Sequence, residues 1–405
     1  MRLGKVPRQK REPWNVEREL DPYHRSLTPE ALLVRYAQRH PVRFGVMVVA
    51  GTIIGVVAFL ASRFWFTFEA VATEDFNPQA AAVALSERTP EEVAALTESQ
   101  RRQLDAAAQQ GLATLEMEQE AAQRIAEMQT TEYRNPAAVS PPLADDMFEA
   151  YLGVGSDASG VLADAILLAL APTDGSSPIL VSIPRDLYVR NPCHEGWSRI
   201  NAGLGGCEGF ASGTELIALM VQGYTGIEID HVARVSFDGF ASVVGALGGV
   251  NICTDHPARD PRSGLDLPGG CVTADGYTTL AWVRSRHTEQ FIDGTWQVVA
   301  GSDFSRQSRQ QDVLFQLAGK LASFGSVGSL DSTLAAVAGA VRVDSGWSFQ
   351  DVVATAWRYR GVTRDSVNRI SVSVRDFITS AGAYVLAPTR SFNELLAEVY
   401  PPAAQ

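Results

Sequence analysis

Between residues 146 and 260 the chain alternates short apolar runs with amphipathic stretches. "FEAYLGVG" (148–155), "DAILLAL" (164–170) and "SPILVSIP" (177–184) have the length of strands, and the last two are apolar enough for a sheet centre. "SGTELIALMVQGY" (212–224) predicts a helix with Ser212 as N-cap and Glu215 completing a capping box. "DHVARVSF" predicts a returning strand, and "GFASVVGALGG" a short helix closed by glycines. "TTLAWVRSRH" (278–287) alternates in character and is read as a strand, with Trp282, Arg284 and Arg286 on one face. A helix over about 304–322 follows, its buried stripe made of Val313, Leu314, Leu317 and Leu321. Further helices are expected near 347–360 and 391–399. Strands alternating with helices predict a three-layer αβα sandwich around a central mixed sheet, with sites at strand ends.

Upstream, the pattern changes twice. "FGVMVVAGTIIGVVAFLAS" (44–62) is apolar and uncharged over nineteen residues, close to the ~20 that cross a bilayer. "RFWF" at 63–66 then supplies a snorkelling arginine and an aromatic belt. The alternatives are a buried core helix or a cleaved leader, but a basic head of over forty residues is long for a leader. Residues 67–142 are rich in Ala, Glu and Gln. Thr89, Pro90 and Glu92 form a helix-start signature there, and Val93, Leu96, Leu104, Leu112, Leu115, Ile125 and Met128 make a broken stripe. That segment is read as a helical stalk, with self-association possible through the 89–130 helix, and "NPAAVSPPL" (135–143) as a stiff linker. The expected organisation is a basic segment at 1–43, a transmembrane helix at 44–66, a stalk and linker at 67–142, and a catalytic domain at 146–405.

Charge adds direction to this layout. The formal net charge is −12, which argues against general nucleic-acid binding. Residues 2–43 nevertheless carry ten Lys/Arg against five Asp/Glu, so the positive-inside rule puts them in the cytoplasm. The expected localisation is a single-pass membrane protein with its C-terminal domain outside the cell. Lys320 is the only lysine beyond that head, so cationic chemistry downstream must rest on arginine, which suits bidentate phosphate recognition. The four cysteines, Cys193, Cys207, Cys253 and Cys271, read as disulfides outside the cell. Of three connectivities the sequential pairing is favoured, each bridge clipping a Gly- and Pro-rich loop.

No phosphate-binding P-loop, nucleophile elbow or H-E-x-x-H motif occurs. What remains is a set of charges at predicted strand ends. Asp157 follows the first strand and Asp164 opens the second. Arg185 and Asp186 end the third in "SIPRD", and Arg284 and Arg286 stand in "VRSRH". Asp303, Arg306 and Gln310 share one face of the 304–322 helix. Singly, each reads as an ordinary turn, cap or ion pair. Together they resemble what a pyrophosphate with a divalent cation needs.

In that order, "SIPRD", "RINAG", "GF…GGV", "GLDLPGGC", "VRSRH" and "DFSRQSRQQ" resemble the LytR–CpsA–Psr family of cell-wall glycopolymer transferases over about 146–405. The resemblance implies transfer of a glycan from a polyprenyl-pyrophosphate carrier to peptidoglycan, with Mg²⁺ (or Mn²⁺) held by Asp157 and Asp164. It implies pyrophosphate binding by Arg185, Arg284, Arg286, Arg306 and Gln310, and places Arg199 where the family commonly has lysine. Asp303 becomes the candidate for activating the acceptor hydroxyl. The lipid is expected in an apolar pocket that helices 212–224 and 238–247 could wall. Where the family usually shows D-S-R and R-S-D, this chain has Asp157-Ala158-Ser159 and Leu162-Ala163-Asp164, so two arginines are missing. The alternatives are a non-catalytic polyprenyl-phosphate-binding or scaffolding protein, or a polyprenyl-pyrophosphate hydrolase.

Overall fold

The computed structural model describes residues 71–111, 146–300, 303–322, 336–348 and most of 351–401. The expected membrane span at 44–66 lies outside them, as do the basic segment at 1–43 and the expected linker at 135–143. Among the described residues no helix is long and apolar enough to cross a membrane.

A seven-stranded mixed sheet forms the centre. Its strands are β1 (Ala72–Glu74), β2 (Phe148–Ser156), β3 (Ala163–Pro172), β4 (Ile179–Ile183), β7 (His231–Val235), β14 (Val341–Asp344) and β15 (Asn368–Ser371), in the order β1-β14-β7-β2-β3-β4-β15. β2 runs antiparallel to β3 and parallel to β7, while β4 runs antiparallel to β3 and parallel to β15. The period of two decides the two faces. Ala150, Leu152 and Val154 of β2 point into one core, while Gly153 and Gly155 point to the opposite face.

The first face is covered by α1 (Pro78–Ser86), α2 (Pro90–Gly111), α3 (Gly213–Thr225) and α7 (Phe392–Val399), through Leu85, Leu96, Leu216, Ile217, Phe392 and Leu395. Capping follows the sequence closely: Ser212 and Glu215 form a capping box on α3, Ser391 and Glu394 on α7. Thr89 and Glu92 do the same for α2. The second face carries α4 (Phe237–Ala246), α5 (Gly276–Arg284) and α6 (Asp303–Ala322), whose core joins Val244, Leu280, Val283, Val313 and Leu317. Beyond it, β9 (Ala258–Asp260), β10 (Leu265–Leu267), β12 (Thr288–Ile292) and β13 (Thr295–Ala300) make a small antiparallel sheet. Two-stranded ribbons pair β5 (Tyr188–Asn191) with β6 (Gly196–Arg199), β8 (Val250–Thr254) with β11 (Gly270–Ala274), and β16 (Val374–Ile378) with β17 (Tyr384–Pro388). The described residues between 351 and 359 are helical, in the stretch expected to be so.

Two expectations change. The segment read as a stalk is not detached over its first part. β1 pairs with β14, Leu85 and Leu96 are buried in the main core, and the Asn77 backbone N–H donates to Glu215 at 2.8 Å. Arg88 donates to the carbonyls of Pro192 and Cys193, beside the Cys193–Cys207 bridge. The short apolar periodicity of 78–96 was enough to dock on a sheet, not to form a free rod.

The second change concerns residues 276–284, which are helical rather than extended. Asp275 caps α5, its carboxylate accepting the Thr278 N–H at 2.8 Å. Gly276 is required for the fit, because a Cβ there would lie 2.1 Å from the Ala241 carbonyl oxygen of α4. Thr279, Leu280, Ala281 and Val283 are buried, a helical spacing that overrides the brief alternation of Trp282, Arg284 and Arg286.

Candidate functional site

The ends of β2, β3 and β4 meet the C-terminus of α5 and the start of α6. Asp164, second residue of β3, touches Arg185 through Oδ1 and lies 3.9 Å from Arg284 Nε through Oδ2. Its backbone carbonyl accepts from Arg306 at 3.2 Å. Asp186 is a second hub, 3.2 Å from Arg286, 3.6 Å from Arg185 and 3.9 Å from Arg199. Five guanidinium groups against these two carboxylates leave a surplus of positive charge. Burial pushes the Asp186 carboxyl upward, but Arg185, Arg286, Arg199 and Arg306 outweigh it and hold it below the usual range.

Trp282, Arg284 and Arg286 do not share a strand face. Trp282 stacks on Arg309 at 4.9 Å, while Arg284 sits on the last turn of α5 over the Phe237 ring at 4.3 Å. Arg286 follows the Ser285 cap. The turn is clamped from two sides. From α6, Arg309 donates to the Trp282 and Ser285 carbonyls and Gln310 to Val283 O at 3.3 Å. From β9, the buried Asp260 accepts Ser285 Oγ at 2.7 Å and the N–H groups of Arg286 and His287 at 3.0 and 3.1 Å. The helix-to-loop change therefore leaves both arginines in the same cluster.

Asp157 directly follows β2, whose last residue Ser156 pairs with Ala163 beside Asp164. Its Oδ1 accepts from Ser159 Oγ at 2.7 Å and Leu162 N at 3.3 Å, and Oδ2 has no donor among the described residues. Among the described residues no three His, Cys, Asp or Glu side chains gather as a metal-binding group. A hard cation takes one or two carboxylates and its remaining oxygens from substrate phosphates; Asp157 offers its Oδ2, and Asp164 would have to give up Arg185 or Arg284 to join it. Arg234 of β7 donates to Gly160 O at 2.8 Å, bringing a guanidinium to this loop from another strand. Asp303 opens α6; its side chain is outside the described set.

An apolar cavity of about 310 Å³ opens onto the cluster. Its floor is Gly153, Gly155, Ala165 and Ala233 of the sheet, its walls come from α4, α5 and α6, and Asp164, Arg284 and Gln310 also line it. The expected α4 wall is present, whereas α3 packs on the other face of the sheet. Leu314, expected in the buried stripe, is 40% exposed and lines this cavity.

Both disulfides follow the sequential pairing, Cys193–Cys207 and Cys253–Cys271. Sequence reading passed over Asp186 as a local ion pair, and missed Asp260, Arg309 and Arg234. Both aspartates carried a signal, each standing next to an arginine, Asp186 three residues past β4 and Asp260 at the end of β9; Arg234 carried none.

The family model of the LytR_cpsA_psr family matches residues 113–399, well over half of the chain. The chain belongs to the LytR–CpsA–Psr family. It is 29% identical over 245 residues to the cell wall biosynthesis protein LcpA of Corynebacterium glutamicum, covering 55% of this chain and 44% of that one. Against LcpB of the same organism the identity is 39% over 146 residues, 36% of this chain and 33% of the relative. It is 26% identical over 198 residues to TagU of Enterococcus faecalis, named a polyisoprenyl-teichoic acid–peptidoglycan teichoic acid transferase, covering 49% of this chain and 59% of that one. The matches thus span about a third to three fifths of these relatives' lengths. The fold is that of a LytR-Csp2A-Psr enzyme from Actinomyces oris, with a TM-score of 0.51 at 23% identity over 65% of this chain and 96% of that one.

Proposed function

We propose that this LytR–CpsA–Psr protein transfers a glycopolymer from a polyprenyl-pyrophosphate carrier to peptidoglycan at the outer face of the cell membrane, anchored through residues 44–66. The observation that carries this reading is the junction at Arg284, where an apolar cavity about 310 Å³ in volume meets a surplus of guanidinium charge. A ligand with a hydrocarbon tail and a multiply charged head satisfies both halves, and few others do. Its family membership and the similarity to TagU, named a teichoic acid transferase, support the same direction.

In this reading Arg185, Arg284, Arg286 and Arg306 hold the pyrophosphate oxygens, with Arg199 at the rim and Gln310 at the cavity wall. Asp157 and Asp164 would hold Mg²⁺ or Mn²⁺, which supplies charge neutralisation as the pyrophosphate bond breaks. Asp303 takes the proton of an acceptor hydroxyl, which displaces polyprenyl phosphate so that the glycan arrives with its phosphate. Arg234 supports the Asp157 loop, where Ser159 and Leu162 replace the family's arginines.

The test is reconstitution of the full chain in bilayers with a lipid-pyrophosphate glycan and nascent peptidoglycan. Expected are wall-linked glycan and released polyprenyl phosphate, both lost on chelation of divalent ions and in Arg284→Ala. Tight lipid binding with no transfer would overturn the enzyme reading in favour of a binder, and free glycan without wall attachment in favour of a hydrolase.

A further inference from the structure

A second pocket, about 410 Å³ in volume, lies on the flank of α6 turned away from the apolar cavity. α6 contributes Gln307, Ser308 and Gln311, and the edge strand β15 contributes Asn368, Arg369 and Ser371. On the same helix Gln310, Leu314 and Leu317 line the apolar cavity, and Arg306 reaches the Asp164 carbonyl. One helix therefore separates an apolar cavity from a polar one, and the residue next to Gln307 belongs to the arginine cluster.

The pocket is firmly built on its inner side. Gln307 and Gln311 are each 5% exposed, and Gln311 donates to the buried Ser182 Oγ at 2.7 Å, three residues before Arg185. In the β4–β15 register Ser371 pairs with Ser182 and Arg369 with Leu180, so both side chains rise on the α6 side of the sheet. Arg369 has no carboxylate in ion-pair range among the described residues, unlike the arginines around Asp164 and Asp186.

We propose that this pocket binds a pyranose ring carrying an anionic substituent, a reading that rests on the assignment of the arginine cluster to pyrophosphate. Amides and hydroxyls both donate and accept, as ring hydroxyls do, and one guanidinium suits one carboxylate or phosphate. The volume falls within the ~300–1,000 Å³ of small-molecule sites. The lining, apolar only at Val367 among the described residues, excludes the lipid tail. Such a ring could belong to the acceptor glycan or to the first sugar of the donor; the chemistry is shared.

The test uses the full chain in detergent with Arg369→Ala and Ser308→Trp, the second placing a ring in the pocket from an exposed helical position. Three probes are titrated calorimetrically: geranylgeranyl pyrophosphate, the same lipid carrying one glucuronic acid, and a disaccharide containing N-acetylmuramic acid. Both variants are expected to bind geranylgeranyl pyrophosphate as the wild type does, and to bind one saccharide probe about tenfold or more weakly. Loss confined to the disaccharide supports an acceptor site, and loss confined to the glycosylated lipid supports a donor-sugar site. Unchanged binding of both saccharide probes overturns the proposal while leaving the pyrophosphate site intact. A wild type that binds no geranylgeranyl pyrophosphate overturns that underlying assignment instead, and the saccharide titrations still decide the pocket.

Discussion

Asp260 accepts the backbone N–H of Arg286 at 3.0 Å, from the strand that opens the small antiparallel sheet. The same oxygen takes Ser285 Oγ and the His287 N–H, while Oδ1 takes Arg262 N at 3.0 Å. Burial raises the carboxyl's pKa, but Ser285 and the three N–H donors outweigh it and hold the group below its ordinary value. Asp260 is thus a positioning residue, holding Arg286 through its backbone N–H.

Replacing Asp260 by Ala strands several buried donors, each costing about 1–3 kcal/mol. Urea unfolding should show a loss of at least about 3 kcal/mol, while Asp260→Asn, which keeps the shape and one acceptor, should lose less. In the Asn variant affinity for prenyl pyrophosphate should fall with the fold retained. Undiminished affinity would mean that Arg286 holds its place without Asp260.

Asp186 predicts an acid limb to stability. Its pKa is lowered in the folded state, so the stabilisation it gives is present above its unfolded value near ~3.9 and fades as pH falls through the folded value. Asp186→Asn leaves Arg185, Arg286 and Arg199 without their shared carboxylate and should cost roughly 3–5 kcal/mol at pH 7. The unfolding curves of the two proteins should draw together as pH falls below the unfolded value; a gap independent of pH would contradict the pairing.

His231 predicts the opposite sign. Its Nδ1 lies 3.3 Å from the buried Asp344, and its ring stacks between Tyr151 and Trp347. Burial lowers its pKa, yet Asp344, with Asp230 and Glu149, raises it above 6.5 overall. The ion pair stabilises fully below 6.5 and is lost as pH rises through the raised value. His231→Gln should therefore lower Tm most at pH 5–6 and least at alkaline pH.

Val243 lines the apolar cavity from α4. Val243→Trp adds bulk where the hydrocarbon would lie, so affinity should fall for long prenyl pyrophosphates and stay level for inorganic pyrophosphate. Competition binding with lipids of graded chain length measures this. Equal loss for both ligands would place the tail elsewhere.

Much of this arrangement is legible in the sequence because its signals are local. Capping boxes at Ser212 and Ser391, the strand-length runs of β3 and β4, and charges at strand ends each depend on a few neighbouring residues. The strand assigned to 278–287 went astray for the same reason. Five alternating positions outweighed the Asp275–Gly276 helix start, whose meaning depends on how closely α4 approaches. Asp260 and Arg309 stayed hidden because their role is to hold backbone atoms about 25 residues away, and periodicity carries no trace of such a contact. The face taken by α3 was hidden likewise, since an apolar helix suits either side of a sheet.

The docking of β1 and α1 onto the body sets how far the site can travel. Under the proposed topology Phe66 ends the span and Ala72 already pairs with β14, so only five residues lie between membrane and sheet. Fully extended, the six Cα–Cα steps from Phe66 to Ala72 reach about 20 Å. If the protein acts as proposed, so short a leash would keep it from searching the thickness of the wall and confine it to a layer at the bilayer surface. Its encounters would then be set by two-dimensional diffusion of lipid-borne donors, and only glycan strands newly laid against the membrane would come within its reach.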